Sequence, residues 1–314
     1  MKGYWRLLLL VGVALLLPGP GRLGSVTPGS KANRFDENIM EPSSARTSAY
    51  SYYIIPAADD PGQGGTPNVK FQLAVPNLRD ATTGRLTILR SPVDHFHVYG
   101  PSVKEHKRCH GGKRAVVTDQ ALTNGCLSAT NLSPFSYDAD ALCEGPLVSD
   151  GTIITEGVAA PRPRNDCIGI FKREVGGHFI IGNALAISRS GYLPQLQQLG
   201  CGFGLLVVNG TALYSMSSLI APRTVLGVDS SGALVTLVAE GSETANTGLT
   251  LNQTAAWAAS EDGLHLEWAV NFDGGGSSTM FWAPNGPDVP QGCPTGNDNP
   301  VCTQRQVATI SCIG

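Results

Sequence analysis

Leu205-Leu206-Val207-Val208-Asn209-Gly210-Thr211-Ala212-Leu213-Tyr214 is the stretch from which the fold reads most directly. Asn-Gly accepts the positive φ values that both central residues of a type I′ turn require, so the runs before and after it are predicted to pair as a β-hairpin. The same grammar recurs along the chain. Thr224 to Val228 and Ala233 to Ala239 flank Asp229-Ser230-Ser231-Gly232, and Ile168 to Lys172 and His178 to Ile181 flank Val175-Gly176-Gly177. Hairpins in series predict a C-terminal half that is largely antiparallel sheet.

Upstream, short β-type runs at Tyr52 to Ile55, Val69 to Val75 and Leu86 to Leu89 are separated by turn clusters, and Asp94-His95-Phe96-His97-Val98 continues the alternation. Helices are few. Thr250-Leu251-Asn252-Gln253 fits a capping box, with Leu251, Ala255, Ala258 and Ala259 on one apolar face and Gly263 as the expected stop. A shorter helix is predicted over Ala115 to Leu122, ended by Asn124-Gly125. The fold class is therefore α+β: antiparallel sheets built from hairpins, with a few flanking helices and disulfide staples.

Composition agrees. Of 314 residues, 42% are hydrophobic and 15% charged, with 38 Gly and 21 Pro. That is too apolar for disorder and too rich in helix breakers for a bundle. A formal charge of −3 without a long basic run argues against a nucleic-acid partner. At the N-terminus, Lys2 and Arg6 precede the apolar run Leu7 to Leu17 and the small residues of Pro18 to Ser25. This reads as a secretory signal peptide, because the run is well short of the roughly 20 apolar residues of a membrane span. Residues 25–48 read as a polar arm with no hydrophobic period. The expected destination is the endomembrane lumen or secretion, with no membrane span in the mature chain.

All eight cysteines follow these segments, and an even number in an oxidising compartment implies disulfides. Spacing leaves 105 pairings open, although Cys293 and Cys302 bracket a Gly/Pro/Asn-rich segment as a local clasp would. No metal site is predicted, since no C-x-x-C pair exists and His95, His97, His106 and His110 do not interleave with cysteines at ligand spacing.

Ala269-Val270-Asn271-Phe272-Asp273-Gly274-Gly275-Gly276-Ser277-Ser278-Thr279-Met280-Phe281-Trp282 is the segment richest in chemistry. Three consecutive glycines exceed what a tight turn needs. Without Cβ atoms, their amides are expected to converge on an anion, with Asp273 at a strand end pointing into the same pocket. No Lys follows, and strand rather than helix comes next, so this is not a nucleotide P-loop. Arg223, in Ala221-Pro222-Arg223-Thr224-Val225-Leu226-Gly227-Val228-Asp229, opens an apolar strand from which a guanidinium reaches a phosphate bidentately.

These two segments, with Gly248-Leu249-Thr250-Leu251 between them and Arg305-Gln306-Val307 after them, resemble the ordered motif series of the phosphodiester glycosidase family, over roughly Cys109 to Cys312. The resemblance implies hydrolysis of the glycosidic bond of a sugar-1-phosphodiester, of the α-N-acetylglucosamine-1-phospho-mannose type, without a cofactor. It implies a catalytic domain at 109–314, behind the signal peptide at 1–24, the polar arm at 25–48 and a β-rich segment at 49–108.

Implied site residues are Asp273 as nucleophile or base, with Arg223 and Asn131. Gly274, Gly275, Gly276, Ser277, Ser278, Thr224, Arg305 and Asn165 are expected to bind substrate, and Asp229 or Glu240 to supply a second carboxylate. The resemblance also implies bridges Cys109–Cys143, Cys126–Cys312 and Cys293–Cys302, leaving Cys167 and Cys201 as a fourth pair or as free thiols. Where the family carries an Asn-Gly-Gly-Phe-Phe-Asn-like segment, this chain reads Asn131-Leu132-Ser133-Pro134-Phe135-Ser136, followed by Cys143-Glu144-Gly145. One wall of the pocket is thus expected to differ. The competing expectation is a non-catalytic, secreted carbohydrate-binding protein on the same fold. Asn131-Leu132-Ser133, Asn209-Gly210-Thr211 and Asn252-Gln253-Thr254 fit the N-glycosylation pattern.

Overall fold

The structure is a computed structural model that describes residues 52–56, 70–74, 85–100, 114–136, 143–157, 165–176, 178–243, 245–285 and 304–314. All lie within one compact unit, Asn38–Gly314. The expected signal peptide, the polar arm, Cys109, Cys293 and Cys302 fall outside the described residues.

The first strands are β1 (Tyr52–Pro56), β2 (Lys70–Ala74), β3 (Leu86–Ser91) and β4 (Phe96–Tyr99). Helix α1 (Val117–Asn124) leads to β5 (Ser128–Asn131), β6 (Leu147–Ser149) and β7 (Thr152–Thr155). Next come β8 (Asp166–Phe171), β9 (His178–Asn183), α2 (Ala184–Arg189) and β10 (Leu196–Cys201). The chain continues through β11 (Gly204–Val208), β12 (Thr211–Ala212), β13 (Arg223–Asp229) and β14 (Leu234–Ala239). Helix α3 (Leu251–Ala259) precedes β15 (Leu266–Asn271), β16 (Met280–Trp282) and β17 (Ile310–Ile313).

Among the described residues these strands form three sheets, ordered β1-β9-β8-β10-β6-β7, β12-β11-β15-β13-β14-β3-β2 and β16-β5-β17-β4. Among the described residues every strand pairing is antiparallel. β1, β3 and β4 pair with β9, β14 and β17, so strands of the 49–108 segment enter all three sheets. The layers follow from two-sided burial of the two larger sheets. In β9, Phe179 and Ile181 face a central core shared with the four-stranded sheet, while Ile180 packs with Ala184 and Ile187 of α2 on the other side. In β14, Leu234 and Val238 face that central core, while Val235 and Leu237 pack with Ala255, Trp257 and Ala258 of α3. Strands buried on both faces read as continuous apolar runs, which is why polar alternation is weak in them.

The predicted hairpins form. Asn209 and Gly210 take φ of 48° and 70°, as a type I′ turn requires, between β11 and β12. Thr250 accepts from the Gln253 N–H while the Gln253 side chain accepts from the Thr250 N–H, completing the capping box. We expect Thr250→Ala to cost about 1 kcal/mol and to lower Tm by about 2–4 °C in a thermal melt. α3 ends at Ala259 rather than running to Gly263. Gly263 instead belongs to the following turn, where a Cβ would meet the Trp257 carbonyl oxygen at 1.9 Å.

Cys126–Cys312 ties the start of β5 to β17, and Cys167–Cys201 bridges β8 and β10 with Cα atoms 3.8 Å apart. Cys143 is also disulfide-bonded, and no described cysteine is free.

Candidate active site

The glycine-rich run is not a hairpin. β15 lies in the seven-stranded sheet and β16 in the four-stranded one, so the chain crosses from sheet to sheet through Asp273-Gly274-Gly275-Gly276-Ser277-Ser278-Thr279. The ends of β5, β13, β15 and β16 converge there. The Phe272 N–H donates to the Thr224 carbonyl (2.8 Å) and the Asp273 N–H to the Leu132 carbonyl (3.1 Å). Asn131 completes the clamp. Its Nδ2 donates to the Asp273 carbonyl (2.6 Å), and its Oδ1 accepts from Thr224 Oγ1 (2.9 Å) and the Thr279 N–H (3.1 Å). Asn131 and Thr224 are both buried and both take part in this brace. Their geometry is that of positioning residues for Asp273.

Two of the three glycines have distinct reasons to be there. Gly275 sits at φ 58°, and a Cβ on it would lie 2.4 Å from Glu243 Oε1. A Cβ on Gly276 would lie 2.5 Å from Arg305 Nη2. The turn therefore seats a carboxylate and a guanidinium directly against its backbone. The expected cradle of converging amides is not what forms. The Gly275, Ser277 and Ser278 N–H groups donate to the Pro222, Gly274 and Gly275 carbonyls, and the Gly274 N–H faces the Asp273 carboxylate. Hydroxyls take the amides' place. Ser277, Ser278 and Thr279 have buried hydroxyl oxygens without a hydrogen-bond partner, as does Asn271 Oδ1. Orphaned buried polar atoms are uncommon, and four fall within nine residues here, without partners among the described residues.

Burial pushes the Asp273 carboxyl up to about 6, and Glu144 adds to the rise. The Ser277 hydroxyl, Arg305 and the Gly274 N–H pull the other way. The hydroxyl lies near enough to favour the carboxylate but short of full hydrogen-bond geometry. Arg223 is buried, and desolvation lowers it to about 10 against the supporting charge of Glu243, so it stays a cation at neutral pH. Its Nε donates to the Leu249 carbonyl (2.9 Å) and its Nη2 to the Leu219 carbonyl (2.6 Å). Two of a guanidinium's five N–H donors are thereby spent on backbone carbonyls.

The two expected second carboxylates stand at opposite ends of the β13–β14 hairpin, Glu240 directly after the Ala239 that pairs with Arg223. Asp229 stands at the far end of β13, roughly 20 Å along the strand from Arg223. There it accepts from Ser231 and Ala233 and approaches Arg90. Glu240 is paired with Arg85. The carboxylate that does reach Asp273 electrostatically is Glu144. Its N–H donates to the Pro134 carbonyl (2.9 Å), and its carbonyl accepts from Asn165 Nδ2 (3.3 Å). Asn165 is wholly buried, so it holds the Glu144 backbone from beneath the surface. The signal for Glu144 was a charge between Cys143 and Gly145, beside the segment where the family pattern changes. Among the described residues, no three His, Cys, Asp or Glu side chains gather as a metal site.

A sequence profile described as phosphodiester glycosidase matches residues 123–313. No curated protein matches the chain. Among solved structures, the zebrafish N-acetylglucosamine-1-phosphodiester α-N-acetylglucosaminidase catalytic domain, auto-inhibited by its pro-peptide, is 21% identical with a TM-score of 0.67. That match covers 83% of this chain and 87% of the zebrafish chain. A hypothetical protein from Synechocystis is 13% identical with a TM-score of 0.50, covering 78% of this chain and 62% of that one. The profile match spans more than half of the chain and includes Asp273, Arg223, Arg305 and Glu144, and the chain therefore belongs to the phosphodiester glycosidase family.

Proposed function

We propose that this chain is a lumenal or secreted hydrolase that cleaves the glycosidic bond of a sugar-1-phosphodiester, with α-N-acetylglucosamine joined through phosphate to mannose as the substrate. The observation that carries this reading is Asp273, a carboxyl raised to about 6, fixed among Arg305, Ser277 and Glu144 in a family defined by that reaction. The name of the zebrafish relative supports the choice of sugar. Disulfides across two sheets support an oxidising compartment, and among the described residues no helix is long and apolar enough to cross a membrane.

The bond that breaks joins the anomeric carbon to a phosphate oxygen. Water supplies hydroxyl to the carbon, and the phosphomonoester departs with the bonding electrons. Such a leaving group needs little protonation, so stabilising its charge matters more than a strong general acid. Arg305 and Arg223 provide that charge. Ionised Asp273 acts at the anomeric carbon as nucleophile or base, with Glu144 as the second carboxylate. Ser277 and Ser278 offer hydroxyls to the sugar or phosphate oxygens.

Purified, fully disulfide-bonded protein is expected to release free N-acetylglucosamine and a mannose phosphomonoester from N-acetylglucosamine-1-phospho-methyl-mannoside, followed by chromatography of the products. Saturable binding with intact substrate after prolonged incubation overturns the reading and leaves a carbohydrate-binding protein.

A further inference from the structure

Three acceptor sequons stand in the sequence, and the fold treats them very differently. Asn131 is 0% exposed, and its Nδ2 is the donor that holds the Asp273 carbonyl. A sugar on that nitrogen has no room and severs the brace. Asn252 lies in the first turn of α3, where its Oδ1 accepts from the Ser215 N–H (2.7 Å) and its Nδ2 donates to the Ser215 carbonyl (3.1 Å). Thr254, the third residue of that sequon, is fully buried with its hydroxyl on the Thr250 carbonyl. Asn209 is the opposite case. It is exposed at the tip of the β11–β12 turn, Thr211 is exposed beside it, and among the described residues no group bonds its amide.

What lies next to Asn209 gives a glycan there something to do. Among the described residues β12, of only two residues, is the edge strand of the seven-stranded sheet, and no strand pairs with its outer side. The chain then runs into a loop whose Leu213, Tyr214, Met216 and Leu219 are 37%, 78%, 102% and 54% exposed. Leu213 begins about 13 Å along the strand from Asn209. An open edge beside a contiguous apolar loop is a template for self-association unless it is covered.

We infer that Asn209 carries an N-linked oligosaccharide and that this glycan shields the β12 edge and the Leu213 to Leu219 loop. Its attachment forms a bond from Asn209 Nδ2 to the reducing-end C1 of an oligosaccharide supplied as a lipid diphosphate. The C1–O bond to phosphate breaks, an amide proton is lost, and the lipid diphosphate leaves with the electron pair. The inference rests on the lumenal routing proposed above, and disulfide formation reports that routing independently.

The full chain is secreted from eukaryotic cells as wild type, Thr211→Ala, which removes the sequon but keeps the Asn-Gly turn, and Thr211→Ser, which keeps both. Intact mass before and after peptide-N-glycosidase is expected to show one glycan on wild type and Thr211→Ser and none on Thr211→Ala, with the glycopeptide mapping to Asn209. Light scattering is expected to find Thr211→Ala self-associated and the other two monodisperse, with sugar release per active chain unchanged. A disulfide-bonded wild type bare at Asn209, or glycosylated at Asn131 or Asn252 instead, overturns the site. A Thr211→Ala chain as monodisperse as wild type overturns the shielding. A chain that remains reduced inside the cell overturns the routing, and the site with it.

Discussion

Asp273→Asn is expected to lower kcat/KM for sugar release by about 10³-fold or more, and at the same time to make the protein more stable at pH 7. The two effects have one origin. Asn keeps the shape and the acceptor oxygen of Asp but removes the charge that the reaction uses, and a thousandfold loss corresponds to about 4 kcal/mol of transition-state stabilisation. The same charge is a burden to folding, because burial lifts the carboxyl from 3.8 to about 6. A carboxyl whose folded pKa lies above its unfolded value binds its proton more tightly in the native state. Well below 3.8 it is neutral in both states and there is no penalty. The penalty grows from about pH 4 to about pH 6 and is complete above that, reaching up to about 3 kcal/mol for two units. Denaturant titrations of wild type and Asp273→Asn are therefore expected to converge as pH falls through about 4 and to separate by pH 7, with the variant the more stable.

Asp166 complicates the wild-type curve but not the difference. Desolvation raises its carboxyl to about 6 as well, against the Leu205 N–H that donates to it at 2.9 Å. It titrates in both proteins and cancels on subtraction. A variant that keeps the wild-type kcat/KM removes Asp273 from the chemistry, and one no more stable than wild type at pH 7 shows that its charge carries no burial penalty.

How much of this was legible in the chain depends on how local the information is. The Asn209-Gly210 turn and the Thr250 to Gln253 capping box are decided within four residues, and both form as written. The crossing at Asp273 is different. Nothing in Ala269 to Trp282 says that the two flanking strands belong to different sheets, since that follows from β16 pairing with β5 about 150 residues earlier. The same distance hid the real partners of Asp273. Asn131 matched a family position, but only the register of β5 with β16 and β17 reveals that its amide is buried in a brace. Glu144 reaches the site because Pro134 and Asn165 hold its backbone, contacts that no spacing rule encodes. Strand position identified Arg223 as an anion candidate, yet gave no sign that the Leu219 and Leu249 carbonyls take two of its donors. Chemistry-bearing residue types were thus visible where a motif is contiguous, and invisible where tertiary pairing assembles them.

Gly276→Ala is expected to cut kcat/KM by about 10²-fold while costing no more than about 1 kcal/mol of stability. The backbone at Gly276 is not left-handed, so a methyl group brings no conformational strain of its own. What it meets is the Arg305 guanidinium, at 2.5 Å from Nη2, 2.8 Å from Cζ and 3.1 Å from Nε. The end of a flexible side chain moves away cheaply, so the fold tolerates the change and the site does not. Moving Arg305 also removes a charge that lowers the Asp273 carboxyl, so that carboxyl rises further above about 6. If ionised Asp273 is the active form, the acid limb of the kcat/KM profile shifts to higher pH in Gly276→Ala, and by a similar amount in Arg305→Ala. The double variant distinguishes this from general damage. Both substitutions acting through one guanidinium predicts that Gly276→Ala adds little to Arg305→Ala, whereas independent effects multiply. Multiplying rate losses, or an acid limb that stays in place, would show that the third glycine serves the turn rather than Arg305.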